Sequence, residues 1–492
     1  MKKGDIREGT VEKLSFPNKG ILHVEGKKAV VKNVIPGQKI RFRVTKNRAD
    51  RIEGQLIEVL GKASDERPEA ACVHSGICGG CAYQNLEYDV QLRLKGAQVG
   101  ELLGMHAPQA VIMEAAETAY AFSQEDVTAD GVIPVYPSPV QTGYRNKMEF
   151  TFGDEYIGGP LTLGQHKRGS FYDILTVSEC QIVDADFRMI LTAARDFFAV
   201  RGIPYYHRSR HDGILRHLLV RKSAKTGEIL IDLVAAKALC TWTDPDGTAV
   251  LTAFSELMAQ LNLKGTLKGV LYTKNDSPAD TIKDEGTTVL FGQNFISEEI
   301  LGLRFKITPF SFFQTNSRGA EVLYGQVRRM IGTLENNPLV FDLYSGTGTI
   351  AQIIAPAAGK VIGVEIVPEA VEAARENAAL NGLTNCEFIC GDVLKVLDEI
   401  PEKPDYIILD PPRDGVHPKA LKKIIAYGVP RMVYISCKPT SLARDLEVLY
   451  KGGYEVCDIC CVDMFPGTVH VETVCLLGKR KCASAATVHE VF

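Results

Sequence analysis

A cysteine at the end of an apolar run is the side chain of this sequence with the clearest nucleophilic potential. Residues 433–436 have strand propensity, Cys437 follows them directly, and Pro439 stiffens the turn beyond. In an α/β sheet, ligands bind at the carboxyl ends of the strands. Cysteine is also common as a buried core residue, so the interpretation of Cys437 as a nucleophile depends on what precedes it in the chain.

Acidic residues end a series of apolar runs upstream of that cysteine. Residues 339–350 form an apolar strand that leads into a glycine turn and a helix, and the next strand ends at Glu365, 19 residues after Gly346. This spacing suits a carboxylate that binds ribose hydroxyls. Two further strands lead to Asp392, where an acid can bind an adenine amine, and to Asp410.

The order of these segments predicts the fold and the ligand of the C-terminal part. Strands and helices alternate, with acids at successive strand ends, which is typical of a doubly wound α/β sheet that binds an adenosine ligand. Since the sequence has no GxxxxGK[ST] phosphate loop, S-adenosylmethionine is favoured over a dinucleotide. Glu472 lies in a later strand among apolar residues, where a buried carboxylate is costly unless it has a function. The alternative is an edge-strand charge that faces water.

Length and composition predict a soluble protein of several domains. A chain of 492 residues exceeds what one hydrophobic core usually serves, so roughly two to four domains are expected. Hydrophobic residues make up 45% and charged residues 24%, values that are ordinary for globular proteins. No apolar run is long enough to span a membrane, and the N-terminus is charged rather than signal-like. We therefore expect a cytoplasmic protein.

Positive charge is concentrated at the N-terminus. Residues 1–54 contain 14 Lys and Arg against 6 Asp and Glu, a local net charge of +8 in a chain whose net charge is −4. Short β-rich runs alternate with turn residues here, and residues 39–46 alternate basic with apolar side chains, which predicts a small antiparallel barrel with a basic face. That face suits a phosphate backbone, and a merely solvated lysine face is the alternative. The pattern resembles a TRAM domain, an OB-like RNA-binding module.

Four cysteines have the spacing of an inorganic site. Cys72, Cys78 and Cys81 lie close together in the sequence, the last two separated by two glycines that permit a tight backbone. Three thiolates need a fourth ligand for a tetrahedral set, and Cys180 is the best candidate. This arrangement suits an iron–sulfur cluster better than zinc, which prefers paired Cys-x-x-Cys units. The odd total of 13 cysteines, without an export signal, argues against a disulfide framework.

The patterns predict three domains. Residues 1–60 form the OB-like barrel, residues 61–304 a central α+β domain with the cysteine site, and residues 305–492 a Rossmann-like domain that binds S-adenosylmethionine. Residues near 100–138 are rich in Ala, Glu and Asp, which predicts a poorly ordered acidic insertion or linker. Residues 143–150 alternate basic and aromatic side chains and are a candidate RNA-contacting strand. Helices are predicted over 185–201 and about 246–262, and strands over 214–222, 228–236 and 268–273.

Five motifs together resemble those of the RNA uridine-C5-methyltransferase family. They are residues 312–316, 342–348, 410–413, 436–439 and 470–473. With the TRAM-like barrel and the four cysteines, the chain is most similar to the iron–sulfur branch that acts on 23S ribosomal RNA. The resemblance covers nearly the whole chain except the acidic insertion. The chain departs from the family in Lys438, where many members have Asn, and in the insertion, which separates the cysteines further than expected.

The resemblance implies a mechanism and a set of functional residues. C5 of uracil is a poor nucleophile, and a thiolate that adds to C6 makes C5 enolate-like, so Cys437 is expected to add there and Glu472 to remove the C5 proton. Phe312 is expected to stack on the flipped base. Five residues are expected to hold the methyl donor, S-adenosylmethionine: Gln314, Tyr344, Glu365, Asp392 and Asp410. The resemblance also implies that the four cysteines hold a cluster, of the 4Fe-4S type, that is structural rather than redox-active.

The leading hypothesis is methylation of uridine C5 in 23S ribosomal RNA by a monomeric enzyme whose partner is RNA and not a membrane. Methylation of transfer RNA is the alternative within the family, although the transfer-RNA branch generally lacks the barrel and the cluster. A cytosine-C5 enzyme is disfavoured, because no Pro-Cys pair supplies a second catalytic cysteine. A non-catalytic RNA-binding or assembly protein is the alternative from a different class, and Cys437 and Glu472 argue against it.

Overall fold

The structure, a computed structural model, describes residues 1–104, 132–242, 248–279 and 281–480. None of the helices in these ranges is both long and apolar enough to cross a lipid bilayer. The chain divides into two compact units. Unit 1 consists of Met1–Lys95, Pro137–Val322 and Asp463–His470, and unit 2 consists of Gly96–Tyr136, Leu323–Val462 and Val471–Phe492.

The N-terminal residues of unit 1 form a curled six-stranded sheet in the spatial order β1-β5-β6-β4-β3-β2. Its strands are β1 (Ile6–Thr10), β2 (Lys13–Ser15), β3 (Lys19–Val24), β4 (Lys27–Lys32), β5 (Lys39–Asn47) and β6 (Arg51–Gly61). The alternation predicted for residues 39–46 is present, since Ile40, Phe42 and Val44 of β5 are buried in the core. The β4–β6 pair is parallel, so the prediction of an all-antiparallel barrel is wrong for this pair. The chain crosses from β4 to β5 before the β5–β6 hairpin returns beside β4.

One helix and one short strand border the predicted acidic insertion. Helix α1 spans Tyr88–Leu103 and strand β7 spans Val135–Tyr136. Residues 105–131, the greater part of the insertion, lie outside the described residues. Residues 132–136 contradict the linker prediction, because they are buried and β7 pairs in parallel with residues 461 and 462. Their apolar side chains belong to a sheet rather than to a solvated linker.

A seven-stranded sheet with two helices forms the central part of unit 1, in the order β10-β9-β8-β11-β12-β13-β14. Its elements are β8 (Lys147–Gly153), β9 (Thr162–His166), β10 (Ile174–Thr176), α2 (Ala185–Ala199), β11 (Leu215–Lys222), β12 (Glu228–Ala235), α3 (Ala249–Gln260), β13 (Thr266–Lys274) and β14 (Thr287–Gly292). The strands predicted over 214–222 and 228–236 are present as the antiparallel pair β11–β12, and both predicted helices are present. The helices share a core in which the Phe254 ring lies 5.6 Å from that of Phe197 and 5.2 Å from that of Phe198.

A hairpin and a helix follow the central sheet. They are β15 (Ile296–Ile300), β16 (Leu303–Ile307) and α4 (Ser317–Ile331). Leu301 and Gly302 join the two strands with φ angles of 50° and 82°, and two consecutive left-handed residues are typical of the tight turns that match the twist of a hairpin.

Unit 2 contains an eight-stranded sheet in the order β19-β18-β17-β20-β21-β23-β22-β7. Its further elements are β17 (Leu339–Leu343), α5 (Thr349–Ile354), β18 (Lys360–Glu365), α6 (Pro368–Leu380), β19 (Cys386–Cys390), α7 (Val393–Val396), β20 (Tyr406–Leu409), α8 (Pro418–Tyr427), β21 (Arg431–Ser436), α9 (Pro439–Lys451), β22 (Tyr454–Val462) and β23 (Glu472–Lys479).

The strand order of this sheet reverses next to β17. Strands β17 to β21 are all parallel, with β18 and β19 on one side of β17 and β20 and β21 on the other. Such a reversal opens a crevice at the carboxyl ends of the strands, where open α/β sheets bind their ligands. The doubly wound α/β fold predicted for the C-terminal part is confirmed. Strand β23 lies antiparallel between β21 and β22, a pairing that the sequence did not predict.

Candidate active site

The turn after β17 lies at the point where the strand order reverses. The backbone N–H groups of Tyr344 and Ser345 both donate to the carbonyl oxygen of Val364 in β18, at 2.9 and 3.0 Å. Gly348 has a φ of 71°, and a Cβ atom there would lie 2.6 Å from the Phe388 ring. A side chain at position 348 would therefore be strained and would clash. The glycine turn predicted from the sequence is present and is held against β18.

Glu365 ends β18 with both carboxylate oxygens directed at backbone N–H groups. Its Oε2 accepts from the N–H of Gly346 at 3.0 Å, and its Oε1 accepts from the N–H of Val367 at 2.9 Å. A carboxylate has about four acceptor positions, so this one keeps capacity for further donors. The arrangement fixes Glu365 beside the glycine turn, where a carboxylate could accept from ribose hydroxyls.

Asp342, inside β17, is a buried acid whose role the sequence did not predict. Its Oδ2 accepts from the N–H of Ala351 at 2.9 Å, which ties β17 to the first turn of α5. Its Oδ1 has no hydrogen-bond partner among the described residues. Burial, and then the charges of Asp410 and Glu365, raise the pKa of Asp342 to about 7. The signal in the sequence is an acid in the middle of an apolar strand, at the start of the 342–348 motif, and the motif alone assigns it no function.

Tyr344 follows β17 and Asp392 follows β19, at the carboxyl ends of two strands that lie on either side of β18. Asp392 is exposed and caps α7, because its Oδ1 accepts from the N–H of Leu394 at 2.9 Å. Burial, and then the charges of Asp392 and Asp445, raise the pKa of Tyr344 to about 12. The phenol therefore stays protonated and remains a hydrogen-bond donor at physiological pH.

The loop that follows β20 carries Asp410, and a buried acid on α9 holds it. Burial raises the pKa of Asp410 to about 7. Asp445 accepts through its Oδ2 from the N–H of Val416 at 2.8 Å and from the Tyr434 hydroxyl at 2.7 Å. The Ser441 hydroxyl of the same helix donates to the carbonyl oxygen of residue 413 at 2.6 Å. The sequence did not single out Asp445, because its partners lie in other elements.

The antiparallel pairing of β21 with β23 brings Cys437 and Glu472 to the same place. Ser436 is the register partner of Thr473, so the next residue of one strand and the preceding residue of the other come opposite each other. Glu472 is 5% exposed. Its interpretation as an edge charge that faces water is therefore wrong, since β23 has a neighbour on each side.

Burial and neighbouring charges set the protonation of this pair. Burial raises the pKa of Cys437 to about 11, with further increases from Glu472 and Asp410 that Arg413 opposes. Burial also raises the pKa of Glu472 to about 8, again with an increase from Asp410 that Arg413 opposes. Cys437 is partly buried and stands just before α9, whose first turn begins at Pro439. A helix N-terminus favours a thiolate, which acts against the effect of burial. The site therefore combines a nucleophile with a carboxyl group that titrates near physiological pH.

Gln314 and Phe312 lie in unit 1, in an irregular segment between β16 and α4. Asn146 donates from Nδ2 to the carbonyl oxygen of Gln314 at 2.9 Å and to the Ser317 hydroxyl at 2.7 Å. Its own N–H donates to the carbonyl oxygen of Thr315 at 2.8 Å. Phe312 is 69% exposed, as a residue that stacks on a base would be. The strand observed in this region, β8, begins at Lys147, and Asn146 directly before it supports this segment.

Arg221 of β11 supports the same segment from the other end. Its side chain is almost wholly buried. It donates from Nε to the carbonyl oxygen of Pro309 at 3.0 Å and from Nη2 to that of Ser311. Burial of a guanidinium is unfavourable unless its N–H groups form hydrogen bonds. Here these hydrogen bonds fix the backbone that carries the exposed Phe312. The only signal for this residue in the sequence is a cation within an apolar strand.

The four predicted ligand cysteines lie together in unit 1 as free thiols. Burial, and then the charges of Cys180, Cys78 and Cys72, raise the pKa of Cys81 to about 12. The N–H of Gly80 donates to Sγ of Cys78 at 3.4 Å, a contact of the kind that stabilises thiolate sulfur in clusters. No group of three or more His, Cys, Asp or Glu side chains in the described residues has the geometry of a metal site. The donor set is chemically suitable, and the iron–sulfur cluster stays a prediction.

Comparisons with known proteins identify the family. Residues 334–475 match a family model described as a methyltransferase domain. A protein of Clostridium tetani named as an RNA methyltransferase is 45% identical over 480 residues, covering 98% of this chain and 99% of that protein. The chain belongs to the RNA methyltransferase family. A second such protein, from Caldanaerobacter subterraneus, is 43% identical over 479 residues, covering 97% of this chain and all of that protein.

A solved structure extends the similarity of this RNA methyltransferase to its whole fold. The Pyrococcus abyssi tRNA (uracil-54, C5)-methyltransferase, in complex with S-adenosyl-L-homocysteine, is 25% identical, with a TM-score of 0.71. The match covers 96% of this chain and 100% of that one. Together, these similarities confirm the family that the motifs predicted. S-adenosylhomocysteine is what remains of S-adenosylmethionine after methyl transfer, so the match also supports S-adenosylmethionine as the methyl donor.

Proposed function

We propose that this RNA methyltransferase methylates C5 of a uridine in 23S ribosomal RNA, giving 5-methyluridine, with Cys437 as nucleophile and Glu472 as base. The observation that carries the proposal is the β21–β23 register, which places the buried carboxyl group of Glu472 opposite Cys437. A methyltransferase that modifies a ring nitrogen or a hydroxyl needs no such cysteine, because these atoms are already nucleophilic. Carbon C5 of uracil does need one, because its nucleophilicity has to be created.

The first step activates the base. The Cys437 thiolate forms a bond to C6 of the uracil, and the electron pair of the C5–C6 double bond moves toward C5 and the C4 carbonyl. The thiol has to lose its proton for this, and its pKa of about 11 makes the thiolate a minor species at neutral pH. Arg413 and the helix N-terminus beside the thiol are the features that stabilise its charged form. When bound, S-adenosylmethionine supplies the electrophilic methyl group, which C5 accepts as the sulfonium bond breaks.

The second step restores the aromatic ring. After methylation, C5 carries both a methyl group and a hydrogen. The Glu472 carboxylate removes that proton, the C5–C6 double bond forms again, and the bond from C6 to Cys437 breaks to release the thiolate. A carboxyl group with a pKa of about 8 is a stronger base than an ordinary carboxylate, and about half of it is ionised at pH 8.

Five residues are proposed to hold the methyl donor. They are Gln314, Tyr344, Glu365, Asp392 and Asp410. The hydrogen bonds of Glu365 beside the glycine turn support a contact with ribose hydroxyls. The exposed carboxylate of Asp392 suits an adenine amine. Asp410, beside the Cys437 and Glu472 pair, is suited to the reacting end of the donor.

The domain boundaries are part of the same proposal. We assign residues 1–60 to a TRAM-like RNA-binding barrel, residues 61–304 to a central domain whose Cys72, Cys78, Cys81 and Cys180 hold an iron–sulfur cluster, and residues 305–492 to the catalytic domain. Anaerobically purified protein should be brown and should contain iron and acid-labile sulfide, and a Cys180→Ser variant should lose the colour. A colourless anaerobic preparation that contains zinc would contradict the cluster.

The lysines of one hairpin are the best candidates for contacts with RNA. Arg41 of β5, on the predicted basic face, is balanced by an ion pair with Glu8 at 2.7 Å. On the neighbouring hairpin, Lys19 lies directly across from Lys32. Neither of them, nor Lys28, forms an ion pair with a carboxylate of the described residues. Like charges directly opposite each other repel, and a phosphate backbone would relieve this repulsion. We infer that the β3–β4 hairpin, rather than β5, follows the RNA.

Transfer RNA is the second candidate substrate, and a specific observation favours it. A solved structure that aligns with 96% of this chain is a transfer-RNA enzyme by name. The N-terminal sheet and the cysteine region therefore do not by themselves distinguish the two substrates. Ribosomal RNA remains the first candidate because of the resemblance of the complete motif set.

The test is release of tritium from RNA labelled at uridine C5, in the presence of S-adenosylmethionine. Ribosomal and transfer RNA are compared as substrates, and Cys437→Ala serves as the inactive control. Release from ribosomal RNA alone supports the proposal in full. Release from transfer RNA alone keeps the chemistry and overturns the substrate. Release from neither, with folded protein that binds the donor, contradicts methylation at C5.

A further inference from the structure

We propose that a buried ion pair between Lys95 and Asp463 positions the chain segment that leads into the catalytic base, Glu472. The inference rests on the proposed function, since it concerns the step in which Glu472 removes the C5 proton. The residues that form the pair are positioning residues, because they act through the backbone and do not touch the reacting atoms.

The ion pair is deeply buried in unit 1. The Lys95 Nζ atom lies 2.7 Å from Oδ1 of Asp463, and the two side chains are 1% and 0% exposed. The Lys95 ammonium also donates to the carbonyl oxygen of Phe465 at 3.2 Å, and Asp463 Oδ1 accepts from the N–H of Phe465 at 3.0 Å. Two charges removed from water need additional hydrogen bonds to persist, and those of Lys95 Nζ and Asp463 Oδ1 fix the backbone at Phe465.

Further contacts hold the rest of the Asp463–His470 segment. The carbonyl oxygen of Gly467 accepts from the N–H groups of Ala82 and Tyr83, both at 2.9 Å. The N–H of Gly467 donates to Oε1 of Gln91 at 2.7 Å. The Tyr144 hydroxyl donates to the carbonyl oxygen of Pro466 at 3.0 Å.

Replacement of Gly467 by any residue with a side chain would strain this segment. Gly467 has a φ of 78°, and a Cβ atom there would lie 2.5 Å from the side-chain nitrogen of Gln84. Ala82 and Tyr83, whose N–H groups bind the carbonyl oxygen of Gly467, directly follow Cys81 in the sequence. The segment is therefore fixed by the chain next to the four cysteines as well as by the ion pair.

The position of the segment in the sequence connects it to the base. Strand β22 ends at Val462, whose register partner is Glu472, the first residue of β23. The Asp463–His470 segment is thus the connection between these two strands, and it returns two residues before Glu472. The remainder of β23 is paired on both sides. A displacement of the segment should therefore move mainly the first residue of the strand, Glu472.

The test uses Lys95→Met, which removes the ammonium and keeps the length of the side chain. It measures adduct formation and proton removal separately. Formation of a covalent protein–RNA adduct is followed on denaturing gels, and release of tritium from C5-labelled RNA is followed in the same single-turnover reaction. We expect adduct to form at close to the wild-type rate and tritium to be released at least about tenfold more slowly, because small displacements of a catalytic group have large effects. Adduct should therefore accumulate.

Three further variants keep the test decisive. Asp463→Asn should act in the same direction, and Lys95→Arg, which retains the charge, should restore release. Lys360→Met is the matched control, since Lys360 forms ion pairs with Glu387 and Glu402 at the surface, and it should behave like the wild type. Where Lys95→Met does not fold, Asp463→Asn supplies the result.

Two failures can be told apart. If Glu472→Gln itself traps no adduct, the proposed function is wrong. If Glu472→Gln traps adduct while folded Lys95→Met and Asp463→Asn release tritium at the wild-type rate, the positioning role is wrong. A parallel loss of both steps in these variants would also overturn it, because a purely structural role lowers the active fraction without separating the steps.

Discussion

As the proposed base, Glu472 combines deep burial with a carboxyl group that has to ionise before it can remove a proton. Burial raises its pKa to about 8, and Asp410 adds to the increase. The protonated form therefore dominates below pH 8 and the active carboxylate above it. An exposed glutamate would be fully ionised at neutral pH, but it would be a weaker base.

The rate of tritium release should consequently depend on pH. In single-turnover reactions, the rate constant for breakdown of the methylated Cys437 adduct should rise about tenfold per pH unit below pH 8 and level off above it, because this step follows the ionised fraction of Glu472 and not that of the thiol. Release measured from pH 6 to pH 9.5 checks this. A rate constant that is flat from pH 6 to pH 8, or that falls as the pH rises, would contradict the assignment of Glu472 as the base.

The sequence could predict the identity of Cys437 and Glu472 but not their contact. The strand propensity of residues 433–436 placed the cysteine at a strand end, and the cost of a carboxylate among apolar residues marked the glutamate. The two lie 35 residues apart in the chain, and they meet only because β23 inserts between β21 and β22. Asp445 was missed for a related reason, since the atoms that it holds come from a loop and from another strand.

At the scale of elements, the segment that carries Phe312 and Gln314 shows how irregular backbone is held in place. It lies outside the strands and helices, so its carbonyl oxygens depend on donors from other parts of the chain. Asn146 supports its C-terminal end and Arg221 its N-terminal end. This support could not be predicted from local sequence, because Arg221 lies in β11, Asn146 lies directly before β8, and both are far from the segment in the sequence.

The substitution Arg221→Met should destabilise the protein and weaken donor binding. Removal of the guanidinium leaves two buried carbonyl oxygens without their donors, which should lower the free energy of unfolding by about 2 to 3 kcal/mol. The apparent affinity for S-adenosylmethionine should fall about tenfold, since the segment also carries Gln314. Urea unfolding and calorimetric titration measure the two effects.

The surface variant Arg195→Met serves as its control, because Arg195 only pairs with its neighbour Asp196. It should change the free energy of unfolding by less than about 0.5 kcal/mol. Unchanged affinity for the donor in folded Arg221→Met would contradict the proposed support of the Gln314 segment.

The element pairings show what local pattern can and cannot predict. Period-two alternation located β5 correctly, and alternating strands and helices predicted the α/β sheet. The parallel β4–β6 pair and the addition of β7 to the sheet of unit 2 escaped prediction. Both pairings join segments that are far apart in the sequence or separated by a crossover, so their partners depend on tertiary structure rather than on propensity.

At the scale of the whole molecule, charge is divided between a basic N-terminus and an acidic remainder. Residues 1–54 carry a net charge of +8 in a chain of −4. The arginine side chains of the N-terminal sheet are partly neutralised by carboxylates, as in the pair of Arg41 with Glu8. We therefore expect Lys19, Lys28 and Lys32 of the β3–β4 hairpin, which form no ion pair with a carboxylate of the described residues, to dominate its interaction with a polyanion.

Replacement of Lys19, Lys28 and Lys32 by alanine should weaken binding of RNA and make it less dependent on salt. Each phosphate contact to a single strand contributes about 0.7 to the slope of log K against log salt concentration, so the slope should fall by about 2. Fluorescence anisotropy with labelled RNA at several salt concentrations measures it. Arg41→Ala is the comparison and should change the slope less, because its charge is already paired. An equal effect of Arg41→Ala would contradict the assignment of the hairpin as the RNA-contacting face.

The most direct test of the proposed chemistry is the fate of RNA on Glu472→Gln in the presence of S-adenosylmethionine. The glutamine fills the same space but cannot accept the C5 proton, so methylated RNA should remain covalently bound and should resist denaturation. Mass spectrometry should place the link on Cys437 and find a methyl group on the attached uridine. Absence of any adduct on folded Glu472→Gln that binds the donor, or attachment through a different residue, would contradict the mechanism.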